Sequence, residues 1–431
     1  MDITELSSSL WHTLGLQNKQ TLYLALSIPL LAITTATALR TLSSSSPNPH
    51  PSQPPSILRA PDPSTQKEDP DDLPYPPNAL PGARDVPTPY GSIRVYEFGP
   101  ENGRKVLFIH GISTPCIAFA GMSRLLVEER GCRVMLFDLF GRGYSDTPDP
   151  QFHRQDMALW TSQILLCLSS SPLAWCGGGE RFTLVGYSLG GGIATSFVSW
   201  FPELVEGLVL VAPGGLLRRE RVAASSKLLY GNLLPDWLVR WAVGRRLKGS
   251  ASPPGIGRKR EKGAEENDTT GAGDAAEAEI PGHPANAADS TALIFPDRPK
   301  VSIANAVAWQ VDAHPGFLKS FISSIKYAPV SFEHERWRSV GRRCSARRAA
   351  AAAADPFDDE TLPGLEQNQV LIIFGAQDEV IIAEETGEDA TAVLRRENVR
   401  IVKLKGGHDV PVVNSIGCVD AILDFWDDSP V

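Results

Sequence analysis

The sequence has no excess of positive charge. Its 431 residues include 41 Lys and Arg against 50 Asp and Glu, which gives a formal net charge of −9. A surface that binds a phosphate backbone needs a basic excess, so we do not expect nucleic acid as a partner. The sequence also lacks a GxGxxG dinucleotide motif and a GxxxxGK phosphate loop. No nucleotide or other cofactor is therefore predicted.

Cysteine is scarce and irregularly spaced. None of the six cysteines forms a CxxC pair, and none stands at metal-ligand spacing from a histidine. This pattern predicts buried thiols rather than a disulfide framework or a structural zinc site, and no metal is predicted. The cysteines are Cys116, Cys132, Cys167, Cys176, Cys344 and Cys418.

Long apolar runs are also rare, and one segment stands out for this reason. Thr21–Leu39 contains no charged residue and is close to the minimum length that crosses a hydrocarbon core. We predict that residues 1–40 form a single-pass, uncleaved membrane anchor. A weak span, an interfacial helix and a cleaved signal peptide remain alternatives, since Pro29 and several threonines dilute the apolar character. The flanking Lys19 and Arg40 balance each other, so the topology and the compartment stay open.

Three segments have a low-complexity composition. Residues 41–89 are rich in Pro and Ser, which predicts a semi-extended linker without a core of its own. Residues 248–291 are rich in Gly, Ala and charge, and residues 336–366 contain a run of alanines, Ala349–Ala354. We predict both as surface insertions.

The rest of the chain alternates short apolar runs with helical patterns. This alternation predicts an α/β fold, with a mostly parallel sheet and helices on both faces. Residues 90–213 and 367–431 form the two parts of the predicted core. The predicted strands are 93–98, 106–109, 134–137, 182–186, 208–211, 370–374 and 399–404, and the predicted helices are 118–129, 156–168, 191–200, 385–396 and 412–426.

One serine stands where a strand meets a helix. The apolar run Phe182–Val185 leads directly into Gly186–Gly190, which reads GxSxG with Ser188 at its centre. A serine hydroxyl becomes a useful nucleophile on a sharp turn beside a base, and such a turn needs glycine on both sides. By itself the motif is a weak signal, because a serine in a glycine-rich turn fits the same letters.

Other motifs follow other predicted strands. His110 and Gly111 come after the strand 106–109, and there the Ile112 N–H could meet the N–H of Leu189 to form an oxyanion hole. Asp378 follows the strand 370–374, and His408 follows the last strand. Active sites of open α/β sheets lie at the carboxyl ends of strands, so these features point to one crevice.

Each of these assignments has a competing interpretation. Glu379 and Asp409 are carboxylates close to Asp378 and His408 in the sequence, although Asp378 follows its strand by the shorter loop. His408 could be an ordinary surface histidine. We interpret His110 as a residue that shapes its loop rather than as a second base.

Together these motifs resemble the α/β-hydrolase fold superfamily, in the branch of monoacylglycerol-lipase-like and small-ester hydrolases. The resemblance rests on His110-Gly111, Asp138–Asp146, Gly186–Gly190, Gly375–Asp378 and Gly406–His408. It implies Ser188 as nucleophile, His408 as general base and Asp378 as the acid that orients it. It also implies the Ile112 and Leu189 amides as the oxyanion hole, and a helical cap inserted after strand 6 over residues 214–335.

The resemblance implies acyl transfer, because relatives that attack saturated carbon carry an aspartate where this chain has Ser188. The predicted function is a serine esterase or lipase acting on a small-molecule or lipid acyl ester, such as a monoacylglycerol. The alternatives are an amide or peptide hydrolase of aminopeptidase type, a carbon–carbon bond hydrolase, and a binding protein without enzymatic activity. Acyl length, head group and oligomeric state stay open.

The predicted cap contains a basic segment with tryptophans. Leu234, Leu238 and Trp241 fall at helical spacing around Pro235, and Trp237 lies beside them. Such a helix could rest on an anionic membrane and admit lipid substrates. A cap helix that packs its apolar stripe over the pocket explains the same pattern. We therefore predict membrane contact through the N-terminal segment and leave contact through the cap helix open.

Overall fold

The computed structural model describes residues 56–65, 69–218, 230, 234–248, 287–353 and 362–428. The chain forms two compact units. Of the smaller, the structure describes residues 234–239, and 236–239 are the first residues of a helix. The larger comprises Pro55–Gly231 and Arg240–Val431, and it contains the sheet and the candidate site.

The larger unit is built on an eight-stranded sheet with the order β1-β2-β4-β3-β5-β6-β7-β8. All neighbours from β4 to β8 pair in parallel, and β1 and β2 add antiparallel pairs at one edge. The central strands are continuously apolar because helices cover both faces. The strands are β1 Ala83–Thr88, β2 Gly91–Phe98, β3 Lys105–Ile109, β4 Arg133–Phe137, β5 Phe182–Tyr187, β6 Val205–Val211, β7 Val370–Gly375 and β8 Val399–Leu404.

Helices lie on both sides of this sheet, as the sequence predicts. They are α1 Ala120–Arg130, α2 Met157–Ser169, α3 Leu189–Trp200, α4 Asp236–Lys248, α5 Ala287–Ser290, α6 Ile303–Ala313, α7 Phe317–Tyr327, α8 His334–Ala353, α9 Ala383–Leu394, α10 Val410–Val413 and α11 Ser415–Asp427. Helix α8 packs against α3 and α9, whereas α1 packs against α10 and α11. The mostly parallel sheet with helices on both faces is confirmed.

The prediction of a semi-extended linker over 41–89 is wrong for its described part. Residues 83–88 form β1, and the buried Tyr75 donates its hydroxyl hydrogen to Asp138 at 2.9 Å. Further upstream, the Ala60 N–H donates to Asp146 at 2.7 Å. Proline composition misled the prediction, because an edge strand tolerates Pro87 where an inner strand would lose a ladder hydrogen bond. Residues 41–55 lie outside the described residues.

The prediction of a surface insertion over 336–366 also needs correction. Helix α8 occupies 334–353 and buries Trp337, Val340 and Cys344 at successive helical turns. Alanine is the best helix former, so the alanine run belongs to an ordered helix rather than to a low-complexity loop. Residues 354–361 lie outside the described residues.

The cap lies between β6 and β7, as predicted. Helices α4, α5, α6 and α7 belong to it, and the Ser302 side chain caps the start of α6 by accepting from the Asn305 N–H. Most of the insertion predicted over 248–291 lies outside the described residues. The predicted anchor 1–40 lies outside them too. Among the helices that are described, none combines the length and the apolarity needed to cross a bilayer.

Candidate active site

Ser188 occupies a strained turn between β5 and α3. Its φ is +50° and its ψ is −118°, a conformation that L-residues rarely adopt. The surrounding backbone holds the turn in place. The Ser188 N–H donates to the Val211 carbonyl at 3.0 Å, and the Ser188 carbonyl accepts from the Gly214 N–H at 2.8 Å. Only 1% of the residue is exposed, so the serine lies beneath the surface of the domain.

The glycines around the serine are required by close packing. A Cβ at Gly190 would lie 2.0 Å from the Ile109 carbonyl oxygen, and a Cβ at Gly186 would lie 2.3 Å from the Gly190 carbonyl oxygen. Real Cβ atoms do not approach oxygen so closely, and no flexible side chain is available to move away. The turn is therefore as compact as the GxSxG pattern predicts, and it lies directly against the end of β3.

The structure brings Asp378 and His408 together. His408 Nδ1 lies 2.9 Å from Asp378 Oδ2, and both side chains are buried. The other carboxylate oxygen, Asp378 Oδ1, accepts from the N–H groups of Val380 and Ile381 at 2.8 and 2.9 Å. These bonds fix the carboxylate, so the imidazole is held in one orientation.

The competing carboxylates make other contacts. Glu379 is exposed, and Asp409 accepts the Tyr187 hydroxyl hydrogen at 2.8 Å. The Tyr187 ring also lies 5.3 Å from the His408 ring. Because Tyr187 immediately precedes Ser188, these contacts place the histidine loop against the turn that carries the serine. Ser188, Asp378 and His408 thus follow the carboxyl ends of β5, β7 and β8, all at one edge of the sheet.

The loop after β3 also lies against the serine. A Cβ at Gly111 would be 3.4 Å from the Ser188 Cβ and 3.1 Å from the Tyr187 ring. Ile112 and Leu189, the residues predicted to supply the oxyanion amides, are 3% and 1% exposed and stand on the two segments that adjoin Ser188. The loop that carries Ile112 and the helix that begins at Leu189 therefore both adjoin the serine.

His110 is locked in the neutral form by its surroundings. Its Nε2 accepts from the Leu139 N–H at 2.9 Å, so the proton resides on Nδ1, which lies 2.7 Å from the Gly111 carbonyl oxygen. Burial lowers the pKa of His110 to about 3. A side chain with both nitrogens engaged in this way shapes its loop and does not serve as a base.

His314 in the cap is neutral for the same reason. Its Nδ1 accepts from the Gly316 N–H at 3.0 Å, and its Nε2 lies 2.9 Å from the Ser145 carbonyl oxygen. Burial lowers the pKa of His314 to about 4. The fold therefore contains two buried histidines that must stay uncharged.

These two histidines predict that acid destabilises the fold. Their folded-state pKa values lie below the unfolded value near 6.5, so the unfolded chain binds more protons as the pH falls through 6.5. Between pH 7 and pH 5 the free energy of unfolding should fall by about 2 kcal/mol for each histidine. Urea unfolding at constant ionic strength across this interval measures the slope. A free energy of unfolding that is flat from pH 7 to pH 5 would contradict the assignment.

Three residues near the site were given no role by the sequence, although one of them, Arg142, lies within the motif Asp138–Asp146. Asp289 in α5 accepts the Gly407 N–H at 2.7 Å, immediately before His408, although we predicted its segment as an insertion. Arg142 and Gln310 are fully buried next to the loop after β3. Their bonds join positions far apart in the chain, so no local pattern could identify them.

The site contains no evident place for a metal ion. Across the described ranges, no three His, Cys, Asp or Glu side chains are arranged to hold one. The cysteines are free thiols, and burial raises the pKa of Cys132 and Cys344 to about 11.

Known proteins resemble this chain over the first part of its core. Residues 105–242 match the family model described as alpha/beta hydrolase fold. A serine hydrolase-like protein of Danio rerio is 31% identical over 136 residues, which cover 31% of this chain and 39% of the relative. A 2-hydroxymuconate semialdehyde hydrolase of Pseudomonas sp. strain CF600 is 33% identical over 117 residues, which cover 26% of this chain and 38% of the relative. The chain thus spans well under half the length of these curated relatives.

Solved structures resemble it over most of its length. A protein of Acinetobacter baumannii AYE, provisionally assigned as a lipase, superimposes with a TM-score of 0.51 at 15% identity, covering 81% of this chain and 92% of that one. The enol-lactonase of Burkholderia xenovorans LB400 superimposes with a TM-score of 0.50 at 12% identity, covering 80% of this chain and 100% of that one. The chain therefore has the α/β-hydrolase fold, as the motifs predict.

Proposed function

We propose that the protein is a serine hydrolase that cleaves carboxylic esters through an acyl-enzyme on Ser188. The observation that carries the proposal is the 2.9 Å contact between His408 Nδ1 and Asp378 Oδ2, beside a serine held at a φ of +50°. A strained serine presented next to an oriented imidazole is the arrangement that activates a hydroxyl for attack on a carbonyl.

The proposed reaction follows from the tautomer that Asp378 selects. The carboxylate holds the proton on His408 Nδ1, so Nε2 is available to take the Ser188 hydroxyl proton. Ser188 Oγ then attacks the ester carbonyl, and the Ile112 and Leu189 amides bind the developing oxyanion. His408 returns the proton to the departing alcohol. Water, activated by the same imidazole, releases the acid and restores the serine.

The substrate class follows from the nucleophile and its burial. A serine with an oxyanion-binding loop acts on acyl carbon, which favours esters over epoxides and alkyl halides. Ser188 is only 1% exposed, so the acyl group is expected to bind in an enclosed space. Amides, thioesters and carbon–carbon bonds next to a carbonyl are the alternatives, because the same chemistry opens them.

We also propose that the protein works at a membrane. The uncharged stretch Thr21–Leu39 supports an anchor, and α4 carries Arg245, Arg246 and Lys248 in its last turn beside the exposed Trp241. Basic residues and tryptophan together favour an anionic lipid surface. Monoacylglycerols and other membrane-derived esters are the substrates that fit this location.

A labelling experiment tests the proposal. A fluorophosphonate probe should modify the full chain at one residue, and mass spectrometry should map the adduct to Ser188. Initial rates are then measured on a monoacylglycerol, short nitrophenyl esters, an aminoacyl amide and a substrate with a carbon–carbon bond next to a carbonyl, each with and without anionic vesicles. We expect the highest rate on an ester. Labelling at a different serine, or hydrolysis confined to amides, would contradict the proposal.

A further inference from the structure

The cap makes a direct hydrogen-bonded contact with the loop after β3. Gln310 of α6 is fully buried, and its Nε2 donates to the Ser113 carbonyl at 2.9 Å. Its Oε1 accepts from the Gly143 N–H at 2.8 Å. Both bonds require the same orientation of the amide, so one cap side chain joins two core loops.

A buried arginine makes a second link between the same parts. Arg142 donates through Nε to the Ile112 carbonyl at 3.1 Å, and through Nη2 to the Ser324 hydroxyl of α7 at 2.7 Å. Within the described ranges no carboxylate lies at ion-pair distance, and the other acceptors are the Phe140 carbonyl and the Gln155 amide oxygen. The guanidinium binds these neutral acceptors strongly, because a hydrogen bond from a charged donor is stronger than one between two neutral groups.

Three successive carbonyls of this loop are thereby fixed. His110 holds the Gly111 oxygen, Arg142 holds the Ile112 oxygen, and Gln310 holds the Ser113 oxygen. In a trans peptide the carbonyl and the next N–H point in opposite directions. Fixing the Gly111 oxygen therefore fixes the direction of the Ile112 N–H. Fixing the Ile112 and Ser113 oxygens holds the next two peptide planes, which prevents the loop from rotating.

We infer that Gln310 is a positioning residue through which the cap controls the oxyanion-binding loop. The inference rests on the proposed function, because it assigns the Ile112 amide to the oxyanion. When α6 is seated, the Ser113 carbonyl and the Gly143 N–H have their partner and the loop is rigid. When α6 moves away, both lose it, and the Ser113 peptide plane can rotate, which loosens the loop that carries the Ile112 amide. Full stabilisation of the transition state thus requires the closed cap.

The variant Gln310→Met tests the coupling. Methionine keeps most of the volume and removes both hydrogen bonds. Asn305→Ala is the control, since Asn305 lies on the same helix and its side chain bonds the Lys300 carbonyl. For Gln310→Met we expect kcat on the best oxoester to fall by about 10–100-fold while KM changes by less than about 2-fold, because oxyanion donors act mainly in the transition state. Asn305→Ala should keep the wild-type values.

Comparing the rates on an oxoester and on its thionoester distinguishes a mispositioned amide from partial unfolding. Amide N–H groups bind a developing oxyanion much better than a developing thiolate, so the wild type should prefer the oxoester. Gln310→Met should narrow the oxoester-to-thionoester rate ratio, whereas a partly unfolded enzyme loses both rates equally. An unchanged kcat, or equal losses on both esters, would overturn the inference.

Two further variants distinguish a failure of the coupling from a failure of the proposed function. If Gln310→Met does not fold, Ser324→Ala removes the Arg142 acceptor in α7 and should narrow the same ratio by about 2–5-fold; an unchanged ratio there overturns the inference. If the wild-type activity persists in Ser188→Ala, the proposed function itself fails and the coupling fails with it. Activity that depends on Ser188 but is indifferent to Gln310 contradicts only the coupling.

Discussion

The Ser188→Ala variant is expected to lose about 10⁴- to 10⁶-fold in kcat on the best ester and to react with no fluorophosphonate. Alanine removes the atom that forms the acyl-enzyme. The fold should persist, because the Ser188 backbone makes the bonds that hold the turn. Kinetics with a sensitive fluorogenic ester, together with a thermal melt, measure both expectations.

Ser199→Ala is the matched control for this variant. Ser199 lies further along α3, and its hydroxyl donates to the Ser196 carbonyl of the same helix. This variant should retain wild-type rates and labelling. If Ser188→Ala kept more than about a tenth of the wild-type rate, the acyl-enzyme mechanism would be wrong for this chain. A loss in both variants would point to a damaged helix rather than to a missing nucleophile.

The Asp378→Asn variant is expected to lower kcat by about 10⁴-fold with little change in stability. The amide oxygen can replace Asp378 Oδ1 and still accept from the Val380 and Ile381 N–H groups. The amide nitrogen then faces His408 Nδ1, so the imidazole carries its proton on Nε2 and can no longer accept one from Ser188. Steady-state kinetics above pH 7 should show the loss, and the rate of fluorophosphonate labelling should fall with it.

Glu379→Gln tests whether the effect belongs to this carboxylate. Glu379 is the next residue and is exposed, so its substitution changes the local charge without touching the histidine. It should leave kcat within about 2-fold of wild type, as expected for a surface position. A loss in Glu379→Gln or Asp409→Asn, with normal activity in Asp378→Asn, would assign the orienting acid to another residue.

Much of the fold follows from the sequence, because its signals are local. The strand Val370–Phe374 is apolar at every position, and the structure buries it on both faces. The GxSxG motif is also local, and it predicts the strained turn at Ser188 correctly. The sequence also favours Asp378 over Asp409, because Asp378 follows its strand by the shorter loop, and the observed contacts of the two carboxylates agree with that choice.

The two segment predictions that were wrong relied on composition, which does not show which side chains are buried. The segment around Tyr75 has the prolines of a linker, yet one tyrosine hydroxyl bonded to Asp138 fixes it to the core. In α8 the alanines and arginines suggest a solvated insertion, but Trp337 is fully buried on its inner face. Gln310 and Arg142 escaped prediction for a different reason. Their partners lie in other elements of the chain, and one sequence carries no signal of such pairing.

The neighbouring strands β6 and β7 have a consequence for biosynthesis. They pair in parallel, with Val209 opposite Leu371, although the entire cap and α8 separate them in the chain. Closing so long a connection is entropically costly and slows folding. A nascent chain that has not yet reached residue 370 exposes β6 as an unpaired apolar edge, which is a template for aggregation. Chaperone assistance and intolerance of C-terminal truncation are the expected cellular signatures of this topology.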